Sequence, residues 1–136
     1  MPEYKAKARL IKESDYDNTL VKWWADWRWN APSKDFLPRT GFIVSYDGVD
    51  VCACYIYDTD SRVAWLEWII SNFEVKDREI RKECMEYMIV FAKVYMHSIG
   101  KKYVMSMAMN PSLINTLKEN GFQEGTKGST ELIMLL

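Results

Sequence analysis

The chain has 136 residues, a length that suits one domain with a single hydrophobic core over residues 1–136. Apolar residues make up 49% and charged residues 27%, which predicts a globular rather than a disordered chain. The formal charge of −1 gives no support to a cationic surface that coats nucleic acid. No apolar run reaches the roughly 20 residues of a membrane span, and the start of the chain has no apolar signal core. We therefore expect a cytoplasmic protein without a membrane partner.

The first predicted unit is a short strand followed by a helix. Residues 6–11 favour a strand, and Ser14 with Asp17 is typical of a capping box, which predicts a helix that ends near Arg28. One stripe of this helix is aromatic and aliphatic, and it consists of Tyr16, Leu20, Trp23, Trp24 and Trp27. With six Trp and eight Tyr in the chain, this stripe is either core or a surface for contact. We interpret most of it as core.

Three successive strands are predicted after a polar connection over residues 30–38. The apolar runs 41–46 and 51–57 lie on either side of Asp47-Gly48, a pair typical of a tight hairpin turn. Residues 63–70 are apolar on both faces, as in a central strand. We expect these three strands to be antiparallel neighbours.

A long helix and a fifth strand are predicted next. The apolar spacing of residues 77–98 is helical, and residues 102–109 alternate as a strand. Met105, Met107 and Met109 are predicted to form one buried face of that strand.

A short helix and two strands complete the predicted chain. Asn110-Pro111 is typical of a helix start and Asn120-Gly121 of a helix end. The last two strands are predicted over residues 122–124 and 131–136. The element order β-α-β-β-β-α-β-α-β-β predicts one α+β domain.

The three cysteines predict neither a disulfide nor a metal site. Cys52 and Cys54 lie two apart in a strand and point to the same face, while Cys84 lies alone in a helix. With one His in the chain, a second pair of zinc ligands is missing. We interpret all three thiols as reduced and mostly buried.

The C-terminal half carries the most specific resemblance to a known family. Asn110, a short helix and Gly121-Phe122 follow a strand at the spacing found in the GNAT superfamily of acyl-CoA-dependent N-acyltransferases. The chain resembles this superfamily over nearly its whole length. It is most similar to small GNAT-like proteins of tailed phages, in its Trp-rich first helix, Leu37-Pro38 and Leu66-Glu67-Trp68. The resemblance implies a GNAT-like fold, a central mixed, mostly antiparallel sheet of about seven strands with helices on both faces, and the host cytoplasm for a phage protein.

The resemblance also implies a site for acetyl-CoA. GNAT enzymes hold the CoA diphosphate on backbone N–H groups of a glycine-containing turn at the start of the long helix, and pantetheine pairs with the fourth-strand backbone. The stretch of this chain that matches the turn runs from Lys76 to Arg81. Glu79 and Arg81 stand at its two glycine positions, so that their side chains would approach the phosphates. Neighbouring cations would offset the negative charge of Glu79. The implied cofactor-binding residues are Ile69, Ile70, Ser71, Lys76, Arg78, Glu79, Ile80, Arg81, Lys82 and Asn110.

Glu67 is the candidate catalytic base. It precedes Trp68 on the predicted central strand and shares a face with Trp65 and Ile69, surroundings that raise the pKa of a carboxyl group. The resemblance implies that an acid on this strand deprotonates the substrate amine. The alternative is a Glu that pairs with a nearby Lys or Arg, or is exposed at a strand end. Leu117 stands where many members of the family carry a Tyr as the general acid.

Two functions follow from this comparison. The first is acetyl transfer from acetyl-CoA to a primary amine of a small molecule or protein, with Glu67 as the base. The resemblance places the end of the first helix beside the acceptor, which implies Trp27 and Trp29 as substrate-binding residues. The second is a GNAT-fold binding or assembly protein without CoA chemistry, which the departures from the family motif favour. The sequence leaves open whether the chain forms a homodimer. Action on nucleic-acid bases or on a host factor gains no support from the net charge.

Overall fold

Five strands form one mixed sheet in the computed structural model, which describes residues 5–136. The strands are β1 (Ala6–Leu10), β2 (Thr40–Tyr46), β3 (Val49–Tyr57), β4 (Val63–Ser71) and β5 (Tyr103–Met105). They lie side by side in chain order; β1 to β4 are antiparallel neighbours, and β5 is parallel to β4. The predicted mixed, mostly antiparallel sheet is therefore confirmed. Residues 1–4, on which the prediction of a missing signal core partly rests, lie outside the described residues.

Helices cover both faces of the sheet, as predicted. They are α1 (Glu13–Asp15), a π-helical turn (Tyr16–Leu20), α2 (Val21–Asp26), a 3-10 turn (Lys34–Phe36), α3 (Arg78–Ser98) and α4 (Pro111–Glu119). The run from α1 to α2 is continuous and packs on one face, while α3 and α4 pack on the other. None of the helices within residues 5–136 has the length and apolarity to cross a bilayer.

Two apolar layers hold these helices to the sheet. Beneath α1 and α2 lie Leu20, Trp23 and Trp24, which are buried with strand residues such as Ile43 and Ile70. The predicted core role of the aromatic stripe is confirmed for these three side chains. The layer beneath α3 contains all three cysteines, which are buried and unpaired, as predicted; they are Cys52, Cys54 and Cys84.

The first helix begins two residues earlier than the capping box predicted. Lys12, not Ser14, is the N-cap residue, and its backbone N–H donates to the Asp15 carboxylate at 2.7 Å. Arg9 on β1 binds the same carboxylate through both terminal nitrogens, at 2.8 and 3.0 Å. Because this pair ties Asp15 to β1, the helix starts there, and the prediction of a box from Ser14 to Asp17 is wrong.

The two later helices begin and end as predicted. The Asp77 side chain caps α3, and the Asn110 side chain caps α4, where it accepts from the N–H groups of Ser112 and Leu113. The chain leaves α4 through Gly121, whose φ of +101° is a conformation that favours glycine.

The C-terminal edge of the sheet differs from the prediction. β5 has three residues instead of eight, and residues 122–124 and 131–136 form no strands, so five strands stand where about seven were predicted. Met105, Met107 and Met109 are 47%, 56% and 95% exposed, so their predicted buried face is wrong. The ladder ends early because side-chain bonds replace it beyond Met105, and residues 123–136 are exposed and form no strand beside β5.

Candidate active site

The strands β4 and β5 separate after only three residue pairs. Their ladder ends at the pair of Trp65 and Met105. Just beyond it, the Ser106 hydroxyl donates to the Leu66 carbonyl oxygen at 2.6 Å, so a side chain bridges the gap in place of the backbone. From residue 67 to residue 71, β4 pairs with β3 alone in the described sheet. This fork leaves a strand edge along which an extended ligand chain can form backbone hydrogen bonds.

Glu67 lies at the fork with its carboxyl group half-buried. Its Oε1 accepts a hydrogen bond from the backbone N–H of Met107 at 2.9 Å. Burial raises the pKa of Glu67 from 4.5 to about 7; the Met107 N–H opposes this rise, and the charge of Glu131 adds to it. Near neutral pH the side chain therefore exists in both protonation states, which suits a group that accepts and releases a proton. The partner found here is a backbone N–H and the side chain is half-buried, whereas the alternative interpretation required a Lys or Arg partner or an exposed position at a strand end.

A bulge in β4 follows directly after Glu67. Trp68 has a left-handed backbone, with φ at +54°, and the register with β3 shifts between the pairs at Glu67 and Ile70. Two residues of β4 therefore face one residue of β3, which reverses the alternation of side chains beyond this point. Trp68 packs on the α2 side and Ile69 on the α3 side. The prediction that Ile69 shares a face with Glu67 is wrong for this reason.

Two hydrogen bonds hold the bulge in place. The indole N–H of Trp68 donates to the Tyr57 hydroxyl oxygen at 2.6 Å. The Tyr57 hydroxyl in turn donates to the carbonyl oxygen of Phe36 in the 3-10 turn. The connection after α2 is thus fixed to the strained residue of β4. A left-handed Trp is costly and persists where its surroundings determine it.

An aromatic cluster lies at the end of β4. The indole N–H of Trp27 donates to the carbonyl oxygen of Ser71 at 2.8 Å. The Trp27 ring stacks on Trp29 at 5.6 Å between centroids and meets the edge of Phe73 at 4.9 Å. Trp29 remains 48% exposed, so this cluster presents an aromatic surface to solvent. Trp27, predicted to border the acceptor, therefore contacts Ser71, which was predicted to border the cofactor, and Trp29 stacks on Trp27.

Two cations cover this cluster, one just before α3 and one in its first turn. The Lys76 ammonium lies 3.4 Å from the centroid of Phe73, and the Arg81 guanidinium lies 5.4 Å from that of Trp27. Arg81 also donates to the Ser71 hydroxyl oxygen at 3.3 Å. Two of the four cations that were predicted to bind the cofactor thus turn toward β4. The other two, Arg78 and Lys82, are exposed on the surface of α3.

The start of α3 does not fit a bound diphosphate in the way the resemblance implies. The Asp77 carboxylate accepts from the backbone N–H groups of Glu79 at 3.0 Å and Ile80 at 3.2 Å. These are donors that an anion at a helix start would use. A fixed negative charge already occupies them, and the exposed Glu79 side chain adds another. The backbone donors at the start of α3, where the resemblance implies a diphosphate, are therefore filled by the chain itself.

The side chains of the remaining residues that were predicted to bind the cofactor are engaged in core packing or in a helix cap. The side chains of Ile69 and Ile80 pack in the layer beneath α3, and Ile70 is buried beneath α2. The side-chain oxygen of Asn110 is engaged as the cap of α4. For the isoleucines of β4, only backbone groups face the fork.

A surface cavity of about 350 Å³ opens on the same face as α1, lined among others by Tyr16, Lys34 and Arg39. Tyr55 also lines it and is the cross-strand partner of Glu67. The other residues that line this cavity lie within residues 11–16 and 34–39, and Glu67 is not among them.

Sequence reasoning missed four groups at the site. An Asp directly before a helical period signals an N-cap, so the role of Asp77 was accessible from the pattern. Phe73 and Tyr57 are aromatic residues whose neighbours depend on tertiary packing. The Met107 N–H carries no side-chain signal, because its availability follows from the early end of β5.

No protein-family model matches the chain, and no curated protein matches it as a relative. The fold, by contrast, is found in solved acetyltransferase structures, and it is the fold of the GNAT acetyltransferases. N-acetylglutamate synthase from Neisseria gonorrhoeae, complexed with coenzyme A and L-arginine, matches with a TM-score of 0.71 and 13% identity over 91% of this chain. This chain spans 28% of that synthase.

Two neighbours of similar size share the architecture over their whole length. An aminoglycoside acetyltransferase from an uncultured soil metagenomic sample has a TM-score of 0.67 and 11% identity, covering 96% of both chains. A GNAT family acetyltransferase from Staphylococcus aureus has a TM-score of 0.61 and 13% identity, covering 94% of this chain and 98% of its own. At these identities the likeness is one of fold. The predicted similarity to phage proteins stays a prediction.

Proposed function

We propose that this chain transfers an acyl group from an acyl-CoA-type thioester, acetyl-CoA in the simplest case, to a primary amine. The observation that carries the proposal is the half-buried carboxyl group of Glu67 at the fork of β4 and β5, with a pKa near neutrality and a hydrogen bond from the backbone N–H of Met107. The GNAT-type fold supports it.

Glu67 acts as the general base in this proposal. Above pH 7 its carboxylate accepts the proton that the amine loses as its nitrogen becomes an amide nitrogen. When bound, the thioester supplies the acyl group and a thiolate that leaves as the C–S bond breaks. The Met107 N–H keeps the Glu67 carboxyl group at the fork, and the β4 edge over residues 68–71 aligns the thioester arm by backbone hydrogen bonds.

The acceptor lies against the aromatic cluster in this proposal. Trp27 and Trp29 offer a partly exposed apolar wall beside Ser71, one end of the same strand that carries Glu67. The names of two structural neighbours, an aminoglycoside acetyltransferase and an N-acetylglutamate synthase, point to small amines as acceptors. A primary amine on a small molecule is therefore the first acceptor to test, before an amine of a protein.

A second function is favoured by one observation. The Asp77 carboxylate occupies the N–H groups of Glu79 and Ile80, where a diphosphate would bind. A chain that keeps this cap cannot hold CoA in that manner. The second proposal is therefore a binding or assembly protein that uses the GNAT-type fold without CoA chemistry.

Calorimetry and a transfer assay distinguish the two functions. We expect acetyl-CoA to bind, a panel of small primary amines to be acetylated, and Glu67→Gln to lower the turnover about 100-fold or more while it leaves acetyl-CoA affinity unchanged. Glu86→Gln, on the exposed side of α3, is the matched control and keeps full activity. Absence of binding at millimolar acetyl-CoA overturns the enzyme proposal and favours the second.

Asp77→Ser tests where the diphosphate lies. Serine keeps a capping oxygen but removes the charge. If the diphosphate binds at the start of α3, this variant binds acetyl-CoA more tightly than the natural chain; unchanged affinity places the diphosphate elsewhere.

A further inference from the structure

The cavity beside α1 has no part in the proposed function. It has a volume of about 350 Å³ and is lined by residues just after β1, residues at the start of α1, residues 34–39 and Tyr55 of β3. Ligand sites in proteins have volumes of about 300–1,000 Å³, so this cavity has room for a small molecule. Gly41 of β2 makes space for two of the lining side chains, since an added Cβ there would lie 2.7 Å from Ile11 Cδ1 and 2.8 Å from Tyr55 Cδ1.

The Tyr55 hydroxyl is a buried polar group at this cavity. Tyr55 is only 4% exposed, and its hydroxyl forms no hydrogen bond with any residue from 5 to 136. Burial raises the pKa of Tyr55 to about 12, so the hydroxyl keeps its proton and can donate it to a hydrogen bond. The charge of Asp15 adds to this rise, but Arg9 already binds that carboxylate through two hydrogen bonds. A buried hydroxyl that lacks a protein partner favours a ligand atom that supplies one.

Positive charge surrounds the cavity at the protein surface. Three of the lining residues are exposed cations, Lys12, Lys34 and Arg39, against one exposed acid, Glu13. Lys34 is paired with Asp17 at 3.2 Å. Lys12 and Arg39, in contrast, form no ion pair with any residue that the structure describes. The Arg39 guanidinium is therefore available for a two-pronged contact with a carboxylate or phosphate group.

We propose that this cavity binds a small anionic molecule, which has a carboxylate or phosphate group at one end, a ring in the middle and a hydrogen-bonding group at the other end. The acid group lies with Arg39 and Lys12 at the surface, and the polar group at the far end meets the buried Tyr55 hydroxyl. The ring packs on the apolar part of the lining, which is half-buried and consists of Ile11, Leu37 and Pro38. The proposal does not depend on acyl transfer.

Calorimetry without any thioester tests the binding on the full chain. The probes are 4-hydroxybenzoate for a carboxylate, 4-hydroxyphenyl phosphate for a phosphate, and 4-hydroxybenzamide as the neutral match. We expect at least one of the two anions to bind with a submillimolar dissociation constant and the neutral probe to bind about tenfold more weakly or worse. The anion that binds more tightly identifies the acid group. Absence of binding of both anions at millimolar concentration overturns the proposal, as does equal affinity for the neutral probe.

Arg39→Gln tests the surface end of the cavity. We expect it to weaken the binding of the tighter anion about tenfold or more, because a charge-assisted hydrogen bond is lost. Arg62→Gln is the matched control, since Arg62 is an exposed arginine between β3 and β4 that does not line the cavity. Equal losses for the two variants would mean that the anion responds to diffuse charge rather than to this cavity, and would overturn the proposal.

Tyr55→Phe tests the buried end, because phenylalanine keeps the ring and removes only the hydroxyl. We expect this variant to bind 4-hydroxybenzoate about five- to tenfold more weakly than the natural chain and to bind benzoate equally well. Its urea midpoint should not fall, since the hydroxyl has no hydrogen-bond partner within the described chain. If 4-hydroxybenzoate and benzoate are affected alike, the ligand does not reach Tyr55 and the proposal is overturned.

Discussion

The carboxyl group of Glu67 and the backbone N–H of Met107 meet at 2.9 Å, at the point where β4 and β5 part. This contact joins the titrating group to the strand whose early end creates the fork. Within residues 5–136 no Lys or Arg pairs with Glu67, and burial is the largest influence on its pKa.

The buried charge of Glu67 lowers the free energy of unfolding in a pH-dependent way, and Glu67→Gln is expected to remove this penalty. The folded chain holds the Glu67 proton more tightly than the unfolded chain, because the pKa is about 7 when folded and 4.5 when unperturbed. The penalty is therefore absent below about pH 4.5, grows as the pH rises, and is complete above about pH 7. We expect the variant to equal the natural chain at pH 4.5 and to exceed it by about 1–2 kcal/mol at pH 8, after allowance for solvent screening.

Urea unfolding across this pH range measures the effect. Gln keeps an acceptor for the Met107 N–H, so the hydrogen bond itself is conserved. Glu86→Gln, an exposed change, should run parallel to the natural chain. A constant difference between Glu67→Gln and the natural chain at all pH values would contradict the assigned pKa.

Asp77→Ala is expected to destabilise the chain by about 1 kcal/mol, because two N–H groups of the first turn of α3 lose their acceptor. Asp77→Asn keeps a capping oxygen and should cost a few tenths of this at most. The urea midpoint of each variant gives the comparison. Equal losses for Ala and Asn would show that charge, rather than the cap, is what stabilises this helix start.

Gly41→Ala is expected to cost about 1–3 kcal/mol. An added Cβ would lie 2.7 Å from Ile11 Cδ1 and 2.8 Å from both the Cys54 carbonyl oxygen and Tyr55 Cδ1. The backbone oxygen belongs to the neighbouring strand and cannot move aside. Gly125→Ala is the control, because nothing lies within 4 Å of its added Cβ. Thermal unfolding of both variants is the measurement, and a loss equal to that of Gly125→Ala would disprove the close contact.

Tyr57→Phe and Trp68→Phe are expected to be coupled. The Tyr57 hydroxyl joins the Trp68 indole to the Phe36 carbonyl group, so either change breaks the same link. A double-mutant cycle should give an interaction of about 0.5–1.5 kcal/mol. Simple additivity of the two losses would mean that the link does not stabilise the bulge.

The order and type of the first eight elements followed from the sequence, because hydrophobic period and caps are local properties. Asp47-Gly48 adopts the positive φ values that a tight hairpin requires, and Asn110 caps its helix. The start of the first helix was predicted wrongly, since Arg9 acts on Asp15 from another strand. Side-chain pairs across elements are not visible in a linear pattern.

The site was predictable only in its residue types. Glu67 was selected for its apolar neighbours, and its pKa is indeed raised by burial. The bulge at Trp68 could not be predicted from the sequence, because a left-handed backbone at Trp contradicts local preference and depends on the hydrogen bond to Tyr57. Met105, Met107 and Met109 were predicted to be buried from their alternation, which assumes a covered strand. In the described sheet the strand ends at Met105 and its outer side is open.

The three buried thiols report how often the apolar layer beneath α3 opens to solvent. Burial raises the pKa of Cys84 to about 11, of Cys54 to about 12, and of Cys52 well above its usual range. Alkylating reagents react with the exposed thiolate, so the native layer beneath α3 resists them at pH 8. The rate of alkylation therefore measures how often that layer opens to solvent, without any added probe.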